Sequence, residues 1–398
     1  MRLASLGQAF GTVAFIAALS ACAAQNPPTV NPVAFSPLSS KITPLRLLQM
    51  QAAGLLPGPN PRPALERMLV QAQSQRPQAR LRKNTGRIGI WATSTDDSDL
   101  IGLTENGRMQ VASIDGRQNG CEYPIVVKVD RSRKVWVACE YDSLDSVDAP
   151  VRQEYSESGT LLAAYNGALA CDPSEGCESS YAYGFDGAQS SSDVFVSLTF
   201  GYQYICPPSG GSCYYNYLSG FEWWPLGGSG SATIVNVGEN CDPVCDTFYL
   251  DVDGKGNIWF DYYGIQGSAS GYGLAEVTNP TTNPQLKPIL VPGTFEYAGG
   301  VYVSNHGRVL NVTDQVAGTI SQYALPLKPG GMPFNVFHLS ATPVSGGFNK
   351  GDTKLVEACS SSSSGSGCLA IGHVKSGKFS YVTTSFQPGG AAYIPSDK

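Results

Sequence analysis

Tyr249 to Gly264 reads YLDVDGKGNIWFDYYG, and this stretch decides the fold. An alternating apolar run closes on Asp253, the turn Gly254-Lys255-Gly256-Asn257 reverses the chain, and Ile258-Trp259-Phe260 opens a second alternating run. Alternation on both sides of a Gly- and Asn-rich turn predicts a β-hairpin. The same form is an apolar residue, a short polar one, a turn, then an apolar pair. It recurs from Val129-Asp130 to Val135-Trp136, from Phe185-Asp186 to Val194-Phe195, from Val303-Ser304 to Val309-Leu310 and from Phe348-Asn349 to Leu355-Val356. With Trp91 as a sixth, the equivalent positions are 91, 136, 195, 259, 310 and 355, at steps of 45, 59, 64, 51 and 45 residues. Repeats of that length made of strands are propeller blades.

Outward from the hairpins, each repeat from Arg87 onward fills out to four strands. The turn after the third strand gives a second check on register: TENG follows Leu103, SESG follows Tyr155, PLGGSG follows Trp224, TNPTTNP follows Val277, ALPLKPGG follows Tyr323 and KSG follows Val374. The first repeat lacks an inner strand before Ile88, while the chain ends in a spare one from Ala391 to Asp397. Pairing the two closes the ring and leaves no open blade. The expected fold is all-β: a six-bladed β-propeller of four-stranded blades over residues 87–398, closed by the C-terminal strand and preceded by a short helical and linker segment.

The D-G-x-G-N-I-W hairpin, clearest from Asp253 to Trp259, resembles the six-bladed propellers of the NHL-repeat, gluconolactonase-like and streptogramin-lyase-like group. The resemblance spans residues 87–398. It implies architecture and not chemistry, because enzymes and binding proteins share the geometry.

Composition agrees with many short strands: 45 Gly and 27 Pro accompany only 15% charged residues in a chain of 398. A formal net charge of −6 argues against nucleic acid as a partner, since phosphate binding needs a basic surface. Residues 1–21 carry Arg2, an apolar run and a small-residue ending, the pattern of a signal peptide. Leu19-Ser20-Ala21-Cys22 resembles the bacterial lipobox, which implies a lipoprotein cleaved before Cys22 and acylated there. The lipid bilayer is then a partner and the cell envelope the address, the outer membrane in a diderm host, facing the periplasm or the outside. Residues 22–86 form the lipidated tether, with short helices expected at Pro44–Leu56 and from Pro63 onward.

Apart from Cys22, ten cysteines fall as near neighbours: Cys121 and Cys139, Cys171 and Cys177, Cys206 and Cys213, Cys241 and Cys245, Cys359 and Cys368. An even number, locally spaced behind an export signal, predicts five disulfides in an oxidising compartment. Loops sort onto two faces of the ring. Turns joining first to second and third to fourth strands make one face, which collects Arg131, Arg133, Lys134, Lys255, Arg308, Lys350 and Lys354. The opposite face collects the cysteines and acids such as Asp96, Asp145, Asp172, Glu175 and Asp242. A rigid acidic face fits a cationic ligand, Ca²⁺ or a basic partner. Asp251-Val-Asp253-Gly-Lys-Gly-Asn257 looks like a calcium loop but lacks the EF-hand ligand order, and is read as a structural turn.

Candidates for chemistry lie where inner strands begin. Glu122, Asp246 and Glu296, beside Tyr123 and Tyr297, would meet at the mouth of the axis, hold a cation and activate water, as resemblance to a gluconolactonase-like hydrolase implies. No metal site is assigned on these residues alone. Streptogramin-lyase chemistry needs a histidine paired with an acid over the channel, and none of His306, His338 and His373 falls there. The longest insertion, Phe200 to Tyr217, sets Tyr202, Tyr204, Tyr214, Tyr215 and Tyr217 around a disulfide, which with Trp223 fits a protein or glycan partner. Trp224 is read as packing between blades. Binding at the stapled acidic face is favoured over catalysis, and a cation-dependent lactonase-like hydrolase at the axis is the alternative.

Overall fold

Six four-stranded antiparallel sheets stand in a ring in the computed structural model. It describes residues 87–394 apart from 120, 131, 143–150, 167–176, 185, 227–231, 240–243 and 361–366. The signal peptide, Cys22 and the two helical candidates lie outside the described residues, among which no helix is long and apolar enough to cross a membrane.

Blade 1 places Pro388–Tyr393 inside Ile90–Ser94, Asp99–Leu103 and Gln110–Asp115, so the last strand closes the ring on the first. That strand begins three residues before the expected Ala391. Blade 2 runs Cys121–Val129, Val135–Asp142, Val151–Tyr155 and Leu161–Asn166 from the axis outward. Blade 4 runs Val244–Val252, Ile258–Gln266, Ala269–Thr278 and Gln285–Phe295. Blade 5 runs Ala298–Val303, Val309–Asp314, Thr319–Ala324 and Asn335–His338, and blade 6 Thr342–Phe348, Lys354–Ser360, Gly367–His373 and Lys378–Thr383.

Hydrogen bonding explains the recurring hairpin. In blade 4 the Asp253 carboxylate accepts the N–H groups of Lys255 (2.8 Å) and Asn257 (3.1 Å) and the indole N–H of Trp259 (3.2 Å). In blade 2 Asp130 likewise accepts Lys134 N–H (2.9 Å) and the Trp136 indole (3.1 Å). Ser304 and Asn349 do the backbone part of this work in blades 5 and 6, where leucine replaces the tryptophan. The short polar residue is thus the acceptor that orders the turn. The tryptophans it reaches, Trp136 and Trp259, are buried between blades, each 1% exposed, and Trp91 is equally buried without such an acceptor. Trp224 is buried as well.

Blade 3 departs from expectation in a way that matters for the site. Its inner strand is broken into Cys177–Tyr183 and Gly187–Gln189, and both pieces pair with the long second strand Asp193–Ile205. The hairpin turn is therefore Ser190–Ser192, and Asp186 lies in the break, four residues before it. The tyrosine-rich insertion is itself largely strand. Asp193–Ile205 pairs with Tyr214–Pro225 out to Ile205 and Tyr214, leaving a short connection closed by the Cys206–Cys213 disulfide. Thr233–Glu239 completes this blade.

Cys121–Cys139 and Cys359–Cys368 are also bonded, with Cα atoms 5.4 and 4.9 Å apart. Cys245 is disulfide-bonded too, while Cys171 and Cys241 lie outside the described residues. Formed disulfides place the propeller in an oxidising, extracytoplasmic compartment.

Candidate functional site: the axial cavity on the turn face

Inner strands of all six blades converge on a cavity of about 640 Å³ at the end of the ring where the hairpin turns lie. They contribute Lys128, Gln189, Asp251, Val303, Gly347 and Ala392, one from each blade. A volume of this size is typical of small-molecule sites, which span roughly 300–1,000 Å³. The cavity opens on the face that carries the basic turn residues, opposite the disulfides. Much of the stapled acidic face, with loops 143–150, 167–176, 240–243 and 361–366, lies outside the described residues.

The floor is built of paired charges. The Lys128 ammonium sits 3.1 Å from Asp186 Oδ2 and 3.8 Å from Asp251 Oδ1, and donates to the Leu250 carbonyl. Asp186 is fully buried because the break in blade 3 turns it inward; its carboxylate also accepts the Leu250 N–H (2.9 Å), linking blades 2, 3 and 4. Burial pushes the Asp186 carboxyl up, against the pull of Lys128, the Leu250 N–H and Arg152. Asp251 accepts the N–H groups of Val252 (2.9 Å) and Val303 (2.8 Å), so the calcium-like sequence is a structural turn.

Arg152 comes from the third strand of blade 2 and is fully buried, with Gln153 and Glu154 buried beside it. Its Nη1 donates to the Gly187 carbonyl at 2.7 Å, and its Cζ lies 5.2 Å from the centre of the Trp136 ring. Residue 187 must be glycine for this approach, since a Cβ there would lie 2.6 Å from Nη1. Burial lowers the Arg152 guanidinium to about 10, offset in part by Asp186, Asp251, Asp130 and Glu154. Its Nε and Nη2 atoms are buried without a partner.

The residues expected to carry chemistry are distributed differently. Asp246 is buried, with Oδ2 unpartnered, and burial raises its carboxyl well above the usual range. Asp261 is raised likewise; its Oδ1 accepts the Tyr249 N–H at 2.7 Å while Oδ2 is unpartnered. Glu296 is exposed, its N–H donating to Asp314, and the Glu122 side chain lies outside the described residues. Among the described residues no three His, Cys, Asp or Glu side chains form a metal-ligand group. Tyr123 is buried, and half-buried Tyr297 packs on Tyr272 with ring centres 5.2 Å apart. Trp223 is half-buried, its indole donating to Asp193 at 2.8 Å. Tyr204 is half-buried; the side chains of Tyr202, Tyr214, Tyr215 and Tyr217 lie outside the described residues.

The cavity residues themselves escaped sequence reasoning. A usable signal was Arg152-Gln153-Glu154, three polar residues in a row in a third strand, where the third strands of the other blades have at most two.

No family model and no curated protein matches this chain. Solved structures do. The nidogen/laminin complex aligns over 77% of this chain and 97% of its own, at 10% identity and a TM-score of 0.51. TolB from Acinetobacter baumannii covers 79% of this chain and 68% of its own at 12% identity and TM-score 0.49. The periplasmic gluconolactonase PpgL of Pseudomonas aeruginosa covers 77% and 99% at 11% identity and TM-score 0.45. At such identities the likeness is one of fold alone, and the fold of this chain, six blades in a ring, is the one its own strand pairing shows.

Proposed function

We propose that the chain is an exported, lipid-anchored binding propeller that takes a small polar ligand into the axial cavity of its turn face. The observation that carries this reading is the cavity: about 640 Å³, formed by all six inner strands, with a charged floor fixed by half-buried Lys128 and fully buried Asp186 and Arg152. Rigid, pre-oriented polar groups in a concave site favour recognition, because little ordering is left to be done on binding. Among the described residues neither histidine nor cysteine lines the cavity, and its floor carboxylates are held by Lys128 or backbone N–H groups, an arrangement suited to holding a ligand. The cation-dependent hydrolase reading rests on Glu122, Asp246 and Glu296; only Asp246 of these is buried among the described side chains, so no catalytic step is derived through a metal.

Gly347 supplies the test. A Cβ there would meet nothing closer than 3.7 Å, so the fold admits a side chain that projects into the cavity lining. Calorimetric titration of hits from a small-molecule thermal-shift screen should show binding weakened at least about tenfold in Gly347→Leu, with unchanged melting of the free protein. Hits that bind wild type and Gly347→Leu equally would remove the cavity from the account. The anchor is tested separately: Cys22→Ser should abolish incorporation of an alkyne-tagged fatty acid and release the protein from membranes, and labelling that persists in the variant excludes acylation at that residue.

A further inference from the structure

The outer strand of blade 5 turns apolar side chains to solvent where its neighbours turn polar ones. Successive residues of an extended chain face opposite ways. Leading into and along this strand, Pro333, Asn335 and Phe337 face inward and are half-buried or buried, while Met332, Phe334 and Val336 face outward and are 82%, 59% and 38% exposed. At the corresponding ends of their outer strands, blade 4 presents Gln285 and Lys287 and blade 6 presents Lys378 and Ser380.

The stripe is held rigidly. Leu325 and Leu327, just before it, pack on the core cluster that joins blades 4 and 5. The Gly330 N–H donates to the Ile289 carbonyl of blade 4, and the Phe334 N–H to the Gln322 carbonyl, each at 2.9 Å. On the other side the Phe337 ring meets Phe379 of blade 6 edge-on, with centres 5.5 Å apart. A fixed patch of exposed apolar side chains marks a contact surface for a protein or a membrane.

The surrounding charge selects between the two. The stripe begins in the turn after the third strand, so it lies at the edge of the turn face. There the turns of blades 5 and 6 carry Arg308, Lys328, Lys350, Lys354, Lys375 and Lys378 against a single acid, Asp352. Asp352 is taken by the N–H groups of Asn305 and His306 and by the His306 ring, and Lys354 by Glu105; the other five cations are exposed. Lysine is depleted in protein–protein interfaces. Lysines beside exposed aliphatic and aromatic side chains are instead what holds a peripheral protein on an anionic bilayer. The net charge of −6 on the whole chain does not cancel this local field, because charges beyond about 8–10 Å are screened at physiological salt.

We infer that this edge of the turn face seats on an anionic phospholipid surface. Met332, Phe334 and Val336 dip into the boundary between headgroups and acyl chains, and Lys328, Lys375 and Lys378 meet lipid phosphates. The contact is separate from the acyl anchor proposed at Cys22, and it sets the mouth of the axial cavity beside the bilayer.

The test uses the mature chain from residue 22 with Cys22→Ser, so that no acyl chain contributes. Co-sedimentation measures its partition onto vesicles of phosphatidylcholine, with and without about one third phosphatidylglycerol. Partition onto the anionic vesicles is expected to fall at least about tenfold in Met332→Ser/Phe334→Ser. Lys328→Gln with Lys375→Gln should remove most of the preference for anionic over neutral vesicles. Ile265→Ser, at an exposed apolar residue on the opposite face, should leave partition unchanged. Neutral and anionic vesicles binding alike, or partition that the serine pair leaves intact, overturns the inference. A chain that ignores both vesicles overturns it too, and self-association lost in the serine pair would then give the stripe to a second copy. Lower melting of the serine pair also overturns it, since the stripe is then covered by another part of this chain.

Discussion

Between pH 5 and pH 8 the protein is expected to lose stability steadily as pH rises. Glu222 and Glu357 are fully buried, and burial raises each carboxyl to about 8. Glu222, in the third strand of blade 3 between Val196 and Ile234, has neither oxygen partnered. Glu357 accepts the Tyr302 hydroxyl at 2.8 Å and the Thr313 hydroxyl at 3.2 Å, which pull the other way. Each group holds its proton in the folded state at pH values where the unfolded chain has released it. The stabilisation is therefore complete below the unfolded value near 4.5 and is lost as pH climbs through about 8. Within that window each group contributes a loss of up to about 1.4 kcal/mol per pH unit. Asp246 and Asp261, raised by burial in the same direction, add to the slope. Chemical denaturation at half-unit steps of pH measures it, and Glu222→Gln should flatten the profile while exposed Glu105→Gln leaves it unchanged. A profile that is level from pH 5 to 8 contradicts this picture of neutral buried acids.

Removing Asp186 should be among the most damaging single changes. Its carboxylate joins Lys128 of blade 2 to the backbone of blade 4, and Arg152 lies close enough to feel its charge. Asp186→Ala leaves one ammonium and one guanidinium in a low-dielectric floor where, among the described residues, Asp251 at 3.8 Å is the carboxylate left near Lys128. Breaking a buried pair from one side costs about 3–5 kcal/mol, whereas removing both charges with apolar residues of similar volume is much milder. Asp186→Ala is expected to lower the denaturant midpoint accordingly, and Asp186→Leu combined with Lys128→Met to recover part of the loss. A loss below about 1 kcal/mol in the single variant would show that the floor is solvated and its charges independent.

Architecture was legible because one physical device repeats. A short polar acceptor orders a turn and, six residues on, an aromatic or leucine seals the gap between blades; Asp130 with Trp136 and Asp253 with Trp259 make the spacing visible in the letters. The closing strand was legible for a different reason, since a first blade without an inner strand and a spare strand at the end complement one another. Blade 3 misled because Gly184-Phe185-Asp186-Gly187 has turn-like composition. In the fold Gly184 and Asp186 lie in an interruption of the inner strand, which resumes at Gly187, and the interruption delivers Asp186 to the axis. The floor was hidden for the same reason. Lys128, Arg152, Asp186 and Asp251 are spread over 124 residues on three blades, and no local pattern announces that strand curvature brings them together. Attention to the face with most acids and cysteines led away from the turn face, where the charges balance in pairs.

The central claim is that the ligand sits at the axis on the turn face. It is tested most directly by a crystal structure of the protein soaked with its tightest small-molecule hit. The account predicts ligand density in the cavity bounded by Lys128, Arg152, Asp251 and Gly347. Density at the opposite end of the ring, among the disulfide-bearing loops, with this cavity holding only water, would contradict it.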